Sequence, residues 1–283
     1  MKKQAQIGII GGSGLYELLE KPKKIEVNTP YGKPSDKITL GEYDGKKVAF
    51  LPRHGKKHQF APHKIPYRAN IFAFKKLKVQ RIIAPCAAGS LTPKFKPGDF
   101  VICDQFVDRT KGREDTFYDN SQKSRNLAKS LGFKKKISSV VHISCVDPYC
   151  PQLRKIAFDT CKKLNIQAHP KGTVVIVNGP RFSTRAESRF YSSQGFDIIN
   201  MTQYPEVILA RELEMCYVAI ALVTDFDAGL EGMQDIYPVT TEEVVKVFKA
   251  NINKVKKLIF KMIKDIPKER TCQCEQALEK AMI

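Results

Sequence analysis

Residues 217–223, Tyr-Val-Ala-Ile-Ala-Leu-Val, and residues 174–177, Val-Val-Ile-Val, are apolar at consecutive positions rather than alternate ones. A strand with one face in water alternates; a strand buried on both faces does not. Burying both faces of a sheet requires helices on each side of it, so these runs restrict the chain to an α/β architecture with a largely parallel sheet. The remaining pattern agrees. Short β-branched runs at 6–11, 37–43, 47–52, 81–86, 100–107, 139–143, 173–177, 198–201 and 217–225 read as strands. Stretches 66–77, 151–164, 184–194 and 205–214 read as helices, several begun by proline in the first turn.

A last long helix starts at Val-Thr-Thr-Glu-Glu, with Thr240 or Thr241 as N-cap and Glu243 near the capping-box position. Its stripe of Val244, Val247/Phe248, Ile252 or Asn251, Val255, Leu258/Ile259 and Met262 follows the helical period, with lysines opposite, as for a helix laid on a sheet edge. No repeat, linker or composition break divides the chain. The expectation is one domain spanning 1–283: a central mixed, largely parallel β-sheet flanked by helices, a long helix at about 241–265 and a Cys-x-Cys tail at 266–283.

Composition excludes some classes of function. No stretch approaches the length of a transmembrane helix, and the start of the chain is too short and glycine-broken for a secretory signal, so a cytoplasmic protein without a membrane partner is expected. Lys and Arg outnumber Asp and Glu 48 to 29, a net charge of +19, but the excess sits in scattered pairs such as Lys23-Lys24 and Lys256-Lys257. Without a stripe interleaved with aromatics, this reads as a solvated surface rather than a nucleic-acid footprint. Eight cysteines are too sparse for a disulfide scaffold. Cys272 and Cys274 stand close together, but no histidine or second pair in register accompanies them, which argues against zinc. They read either as a redox-active or disulfide-forming pair or as two incidental tail cysteines.

Several strand ends carry chemistry. The first strand runs into Gly11-Gly12-Ser13-Gly14. The third glycine of a dinucleotide fingerprint and the Gly-Lys-Ser/Thr of a Walker loop are both missing. What remains suits one tetrahedral anion held by backbone amides and the Ser13 hydroxyl, or a plain turn. Arg53 and His54 directly follow a strand, where an open sheet binds its ligands; arginine matches phosphate oxygens and histidine can donate beside it. His58 and His63 follow at spacings unlike a helical zinc pair. Ala84–Leu91 ends in small residues that admit either a ligand or tight packing. The stretches 178–188 and 199–206 each run from strand to helix, presenting Phe182 and Thr202, and Asp225 and Asp227 leave the core at the end of an apolar strand, where paired carboxylates serve acid–base work or cation binding.

The series GGSG, RHG-x-x-H, AAGSL, GPRFSTRAES, NMTQYPE and TDFD, in order from residue 7 to about residue 260, resembles the trimeric nucleoside phosphorylases. That resemblance implies cleavage of a purine nucleoside by inorganic phosphate, giving the free base and a pentose 1-phosphate, with no metal or organic cofactor. It implies phosphate binding by Ser13, Arg53, His54, the Ala87 amide and Thr202, and base and ribose contacts from Phe182 and Met201. Asp225 and Asp227 would face the base edge, with Asp225 assisting the leaving purine. It also implies a homotrimer or a dimer of trimers, His142 being donated by a neighbouring subunit.

Within that family, members acting on 6-oxopurines carry a glutamate where this chain has Ser183, and an asparagine where it has Asp225. A carboxylate accepts from a 6-amino group, so the resemblance favours adenine. Those members also bond the 5'-hydroxyl with a histidine from the C-terminal third, and no histidine follows His169 here. Thr241, Val244 and Val245 match an apolar 5' pocket, which implies 5'-methylthioadenosine as substrate; a broader purine nucleoside or methylthioinosine specificity is the alternative. Two departures bear on that choice: the segment after Asp227 is longer and lacks an aromatic two residues on, and PCAAGSL stands where TACGSL is commoner. Outside the family, a dinucleotide-dependent oxidoreductase and a basic nucleic-acid-binding protein are the competing readings.

Overall fold

The computed structural model describes residues 5–12, 19–127, 140–230, 233 and 236–281. Eleven strands among these residues form one mixed sheet: β1 (Ile7–Gly11), β2 (Glu20–Ile25), β3 (Ile38–Tyr43), β4 (Lys46–Pro52), β5 (Arg81–Ser90), β6 (Phe100–Ile102), β7 (Gln105–Arg109), β8 (Ala168–His169), β9 (Thr173–Val177), β10 (Ile198–Asn200) and β11 (Cys216–Asp225). The described helices are α1 (Tyr67–Lys76), α2 (Gln122–Arg125), α3 (Pro151–Lys163), α4 (Arg185–Ser193), α5 (Gln203–Glu212) and α6 (Thr241–Asp265). The sheet runs β2-β3-β4-β1-β5-β10-β9-β7, with β11 paired to both β5 and β6, and β8 beyond β6.

β11 is the strand that its apolar run predicts: all ten residues are buried. Its side chains divide between two cores by the period of two. Tyr217, Ala219, Ala221 and Val223 join the core containing Ile71, Phe72 and Phe74 of α1 and Val207 and Leu209 of α5. Cys216, Val218, Ile220 and Leu222 join the other, with Leu153 and Ala157 of α3 and Val255, Leu258, Ile259 and Met262 of α6. Each fully buried aliphatic or aromatic side chain contributes about 1.5–3 kcal/mol relative to exposure, so both faces are strongly committed. The expected architecture is therefore the observed one.

Helix ends follow their sequence signals. Thr240 caps α6, accepting from Glu243 N at 3.2 Å. Thr184 and Glu187 form a full capping box at α4, at 3.2 and 2.8 Å. α6 itself lies across a face of the sheet against β11 and β5, beside α3, rather than on an edge. Its apolar stripe is buried from Asn251 onward, while its first turns reach the surface.

The strand expected at 100–107 is two strands. β6 pairs with β11 and β8; after Cys103-Asp104 the chain crosses to pair with β9 as β7. Asp104 fixes the crossing by accepting from Gly172 N at 2.8 Å. The strand expected at 139–143 does not form over its described part: Val141 makes only a bridge, and His142 N donates to Ala281 O at 2.8 Å. β2, of sequence Glu-Lys-Pro-Lys-Lys-Ile, lacks alternation because it is a lysine- and proline-bearing edge strand, exposed along most of its length.

Candidate active site

β4, β1, β5 and β11 run parallel, so Pro52, Gly11, Ser90 and Asp225 end at one edge of the sheet. β10 runs antiparallel to β5 and brings Asn200 back beside Ala87. The sequence-predicted residues Arg53, His54, Ala87, Thr202, Asp225 and Asp227 are thereby gathered at the carboxyl ends of these strands, where open α/β sheets bind ligands. Ser13 lies outside the described residues.

Arg53 is 3% exposed and turned inward. Its Nε and Nη2 donate to the Glu206 carboxylate at 2.6 and 3.1 Å, Nη2 also to Ile10 O and Nη1 to Pro85 O, both at 3.0 Å. Four of the five N–H groups of a guanidinium are thus committed, and one on Nη1 is left for a ligand. Burial opposes the charge, but the Glu206 carboxylate outweighs it and holds Arg53 protonated. Glu206, fully buried, also accepts from Tyr217 Oη at 2.9 Å. Sequence reasoning quoted the Asn-Met-Thr-Gln-Tyr-Pro-Glu stretch without singling out Glu206; a glutamate in an otherwise apolar helix face was the available signal.

His54 differs from expectation. Its Nδ1 lies 2.8 Å from Phe60 O, and a carbonyl only accepts, so Nδ1 carries the proton. Burial first, then Arg53 and the stacked His58 ring at 4.3 Å, push its pKa down to about 4. At neutral pH the ring is uncharged, and Nε2 offers a lone pair rather than the donor that the sequence suggested.

Asn200, also not foreseen, ties strand to helix. Its Nδ2 donates to Ala87 O at 2.7 Å, while its Oδ1 accepts from Thr202 N at 2.7 Å and Gln203 N at 2.9 Å. Thr202 is thereby fixed at the start of α5, 5% exposed. Arg113 binds the backbones of two segments together. It donates to Met201 O at 2.8 Å, Asn178 O at 3.1 Å, Val177 O at 3.4 Å and Tyr67 Oη at 3.3 Å, and also to Tyr204 O. Met201 packs on Gly179, where an added Cβ would meet its sulfur at 2.5 Å. Nothing in the local sequence around Arg113 announced this role, because its acceptors are backbone carbonyls.

Asp225 is 5% exposed; its Oδ2 accepts from Thr224 Oγ1 at 2.6 Å and its Oδ1 from Asp227 N at 2.8 Å. Burial raises its pKa, and the Asp227 and Glu243 carboxylates add to the rise. The small residues of β5 serve this packing: a Cβ at Gly89 would meet Asp225 Oδ1 at 2.7 Å. Asp227 is raised too, chiefly by burial, with Ser188 and Ser183 hydroxyls opposing. Ser183 thus sits by Asp227. Two carboxyl groups at this strand end hold protons more readily than free aspartates.

Asp227 O accepts from Val239 N at 2.6 Å, which leads the chain into α6 with Glu243 near Asp225. Thr241, Val244 and Val245 occupy the first turns, Val245 being 42% exposed. Phe182 is similarly half-open at 37%. His142 is exposed and stands apart from this group, paired through its backbone to Ala281.

The chain is similar to known proteins along nearly its whole length. The chain is 50% identical over 283 residues to the S-methyl-5'-thioadenosine phosphorylase of Thermofilum pendens, covering 99% of this chain and 100% of the relative. It is 50% identical over 274 residues to the protein of that name from Pyrococcus furiosus, covering 97% and 98%. Among solved structures, a methylthioadenosine phosphorylase from an antarctic soil metagenomic library superposes with a TM-score of 0.86 at 40% identity, over 100% of this chain and 93% of the other. The Schistosoma mansoni methylthioadenosine phosphorylase in complex with adenine gives 0.86 at 35% identity, over 98% of each. Residues 6–264, from β1 through nearly all of α6 and including every strand end just described, match the family described as the phosphorylase superfamily, to which this chain belongs.

Proposed function

We propose that the protein is a pentosyltransferase that splits 5'-methylthioadenosine with inorganic phosphate, giving adenine and 5-methylthioribose 1-phosphate. The observation that carries this reading is the full-length likeness to relatives named for that activity, about half of all positions being identical. The site chemistry supports it. As the C1'–N9 bond breaks, its electron pair goes to the purine and the ribose gains positive charge. A phosphate oxygen then bonds to C1'. Asp225, whose burial favours the protonated form, donates to N7 of the departing base. Neutral His54 accepts a hydrogen bond from the phosphate hydroxyl at Nε2, while the remaining Arg53 N–H, Thr202, the Ala87 amide and Ser13 hold the anion. Positioning and electrostatics supply the rate, and neither metal nor organic cofactor takes part.

Phe182 and Met201 would line the base and ribose, with Ser183 and Asp227 at the base edge. Thr241, Val244 and Val245, apolar in the main and open at the start of α6, would receive the methylthio group. His142 would complete a neighbouring subunit's site in a trimer or a dimer of trimers; its exposure, and that of Val140 and Val146 at 39% and 76%, supports an interface there. No described helix is long and apolar enough to cross a membrane. We assign the protein to the cytoplasm, where nucleoside and phosphate are solutes. Phosphorus NMR of a reaction with 5'-methylthioadenosine should show a pentose 1-phosphate appearing in step with free adenine. Adenine release that proceeds equally without phosphate would indicate hydrolysis and refute the proposal. Light scattering should return three or six chain masses; a monomer would remove His142 from the site.

A further inference from the structure

The described residues contain a second cluster of reactive side chains, at the opposite end of β11 from Asp225. Ten residues of strand at roughly 3.3 Å each separate the two by about 30 Å. Cys216 is the first residue of β11, Cys150 caps α3 with its Sγ accepting from Leu153 N at 3.5 Å, and Cys272 and Cys274 belong to the tail. The four Sγ atoms all lie within 4.8 Å of one another, those of Cys216 and Cys272 at 3.4 Å. All four are free thiols, three of them buried.

Bonding the sulfurs two by two would require only that each be near one other. Here each is near all three. A tetrahedral thiolate centre with metal–sulfur bonds of about 2.3 Å sets its sulfurs about 3.8 Å apart, within the spread observed. The surrounding charge points the same way. Arg81 is 2% exposed, lies within electrostatic reach of Cys216, Cys272 and Cys150, and has a buried Nε without a hydrogen-bond partner. Arg270 interacts with Cys216. Arg270 also pairs with the Glu275 carboxylate, so the guanidinium left without a carboxylate partner among the described residues is that of Arg81; a divalent ion with four thiolates carries two net negative charges, which the buried Arg81 and the neighbouring Arg270 both favour. The N-terminus of α3 adds a further positive field at Cys150.

We propose that Cys150, Cys216, Cys272 and Cys274 bind one soft divalent ion, preferentially zinc, in a closed structural site. Four thiols give up four protons as the ion enters, and no coordination position remains for a substrate. The site fastens the tail to the core, where Arg81 Nη2 already donates to Glu269 O at 2.9 Å and Arg270 Nη1 to Glu214 O at 3.0 Å. The sequence argued against zinc because Cys150 and Cys216 supply no second pair in register; the fold brings them in from two separate elements.

The test uses the full chain, purified under reducing conditions after expression with added zinc. Elemental analysis should give one zinc per chain, and cobalt exchanged into the site should show the thiolate-to-cobalt charge-transfer and intense d–d bands of a tetrahedral tetrathiolate. Cys272→Ser with Cys274→Ser should abolish both signals, and a chelator should lower the melting temperature of the parent protein but not of this variant. If the variant does not fold, the cobalt spectrum of the parent decides. Less than one-tenth of an equivalent of metal would overturn the proposal. So would a native mass lower by the four hydrogens that two disulfides among these cysteines remove.

Discussion

Replacing Glu206 by Gln removes one negative charge from the interior at nearly constant shape. The carboxylate accepts three hydrogen bonds, two from Arg53 at 2.6 and 3.1 Å and one from Tyr217 at 2.9 Å. A glutamine amide keeps one oxygen and turns an NH2 toward a donor, so at least one Arg53 N–H loses its acceptor. Arg53 cannot discard its proton to escape, and removing one partner of a buried ion pair costs about 3–5 kcal/mol. For a chain of this size that lowers the melting temperature by on the order of 10 °C. The guanidinium also loses its anchor, so the KM for phosphate should rise by on the order of tenfold or more, and more than the KM for the nucleoside. A companion variant separates stability from binding. Arg53→Met with Glu206→Met replaces the pair by apolar groups, often a near-neutral exchange. It should melt closer to the parent than Glu206→Gln does, yet bind phosphate far more weakly. Calorimetry and steady-state kinetics with both substrates read the outcome. Should Glu206→Gln melt within a degree of the parent with phosphate KM unchanged, Glu206 does not hold Arg53 in place.

Three further outcomes follow from the same geometry. Asp225→Asn should lower kcat by on the order of 10²-fold or more, while leaving the melting temperature at neutral pH equal or higher, because burial raises the pKa of Asp225 and its charge therefore opposes folding; a lower melting temperature with kcat intact would reverse both assignments. Arg113→Ala should raise the nucleoside KM more than the phosphate KM, since it frees the carbonyls of Val177, Asn178 and Met201, and Arg113→Lys should not rescue it, a point charge being unable to span those acceptors; equal rises in both constants would deny Arg113 a positioning role. His54 titrates at about 4 when folded against 6.5 when unfolded, so the unfolded chain binds more protons between those values. Its contribution of up to about 3 kcal/mol is fully present above pH 6.5 and is lost as the pH falls toward 4. Urea unfolding across that range should be flatter for His54→Gln than for the parent, and parallel curves would contradict the Nδ1–Phe60 arrangement.

The layers of the fold were legible because burial on both faces writes itself into β11 and β9 as unbroken apolar runs. β2 was not legible, since an exposed edge strand is kept from aggregating by the lysines and proline that disguise it. The break between β6 and β7 was hidden as well, because both halves are strand-like and only the identity of their neighbours changes. That Arg53 and Asp225 stand at strand ends could be read. The groups that position them could not. Glu206 and Asn200 act through contacts distant in sequence, and Arg113 acts on backbone carbonyls that any sequence would present. Which ring nitrogen His54 offers to a ligand was hidden for a similar reason: its Nδ1 partner is the carbonyl of Phe60, and nothing in a side-chain pattern reports which ring nitrogen is occupied.

The central claim concerns which nucleoside the protein phosphorolyses. The most direct measurement is kcat/KM, at saturating phosphate, for 5'-methylthioadenosine, adenosine, inosine and methylthioinosine. The account predicts 5'-methylthioadenosine first and inosine far behind, because an Asp225 carboxyl suits a 6-amino group and the start of α6 suits an apolar 5' substituent. Inosine turning over as efficiently as 5'-methylthioadenosine would contradict it.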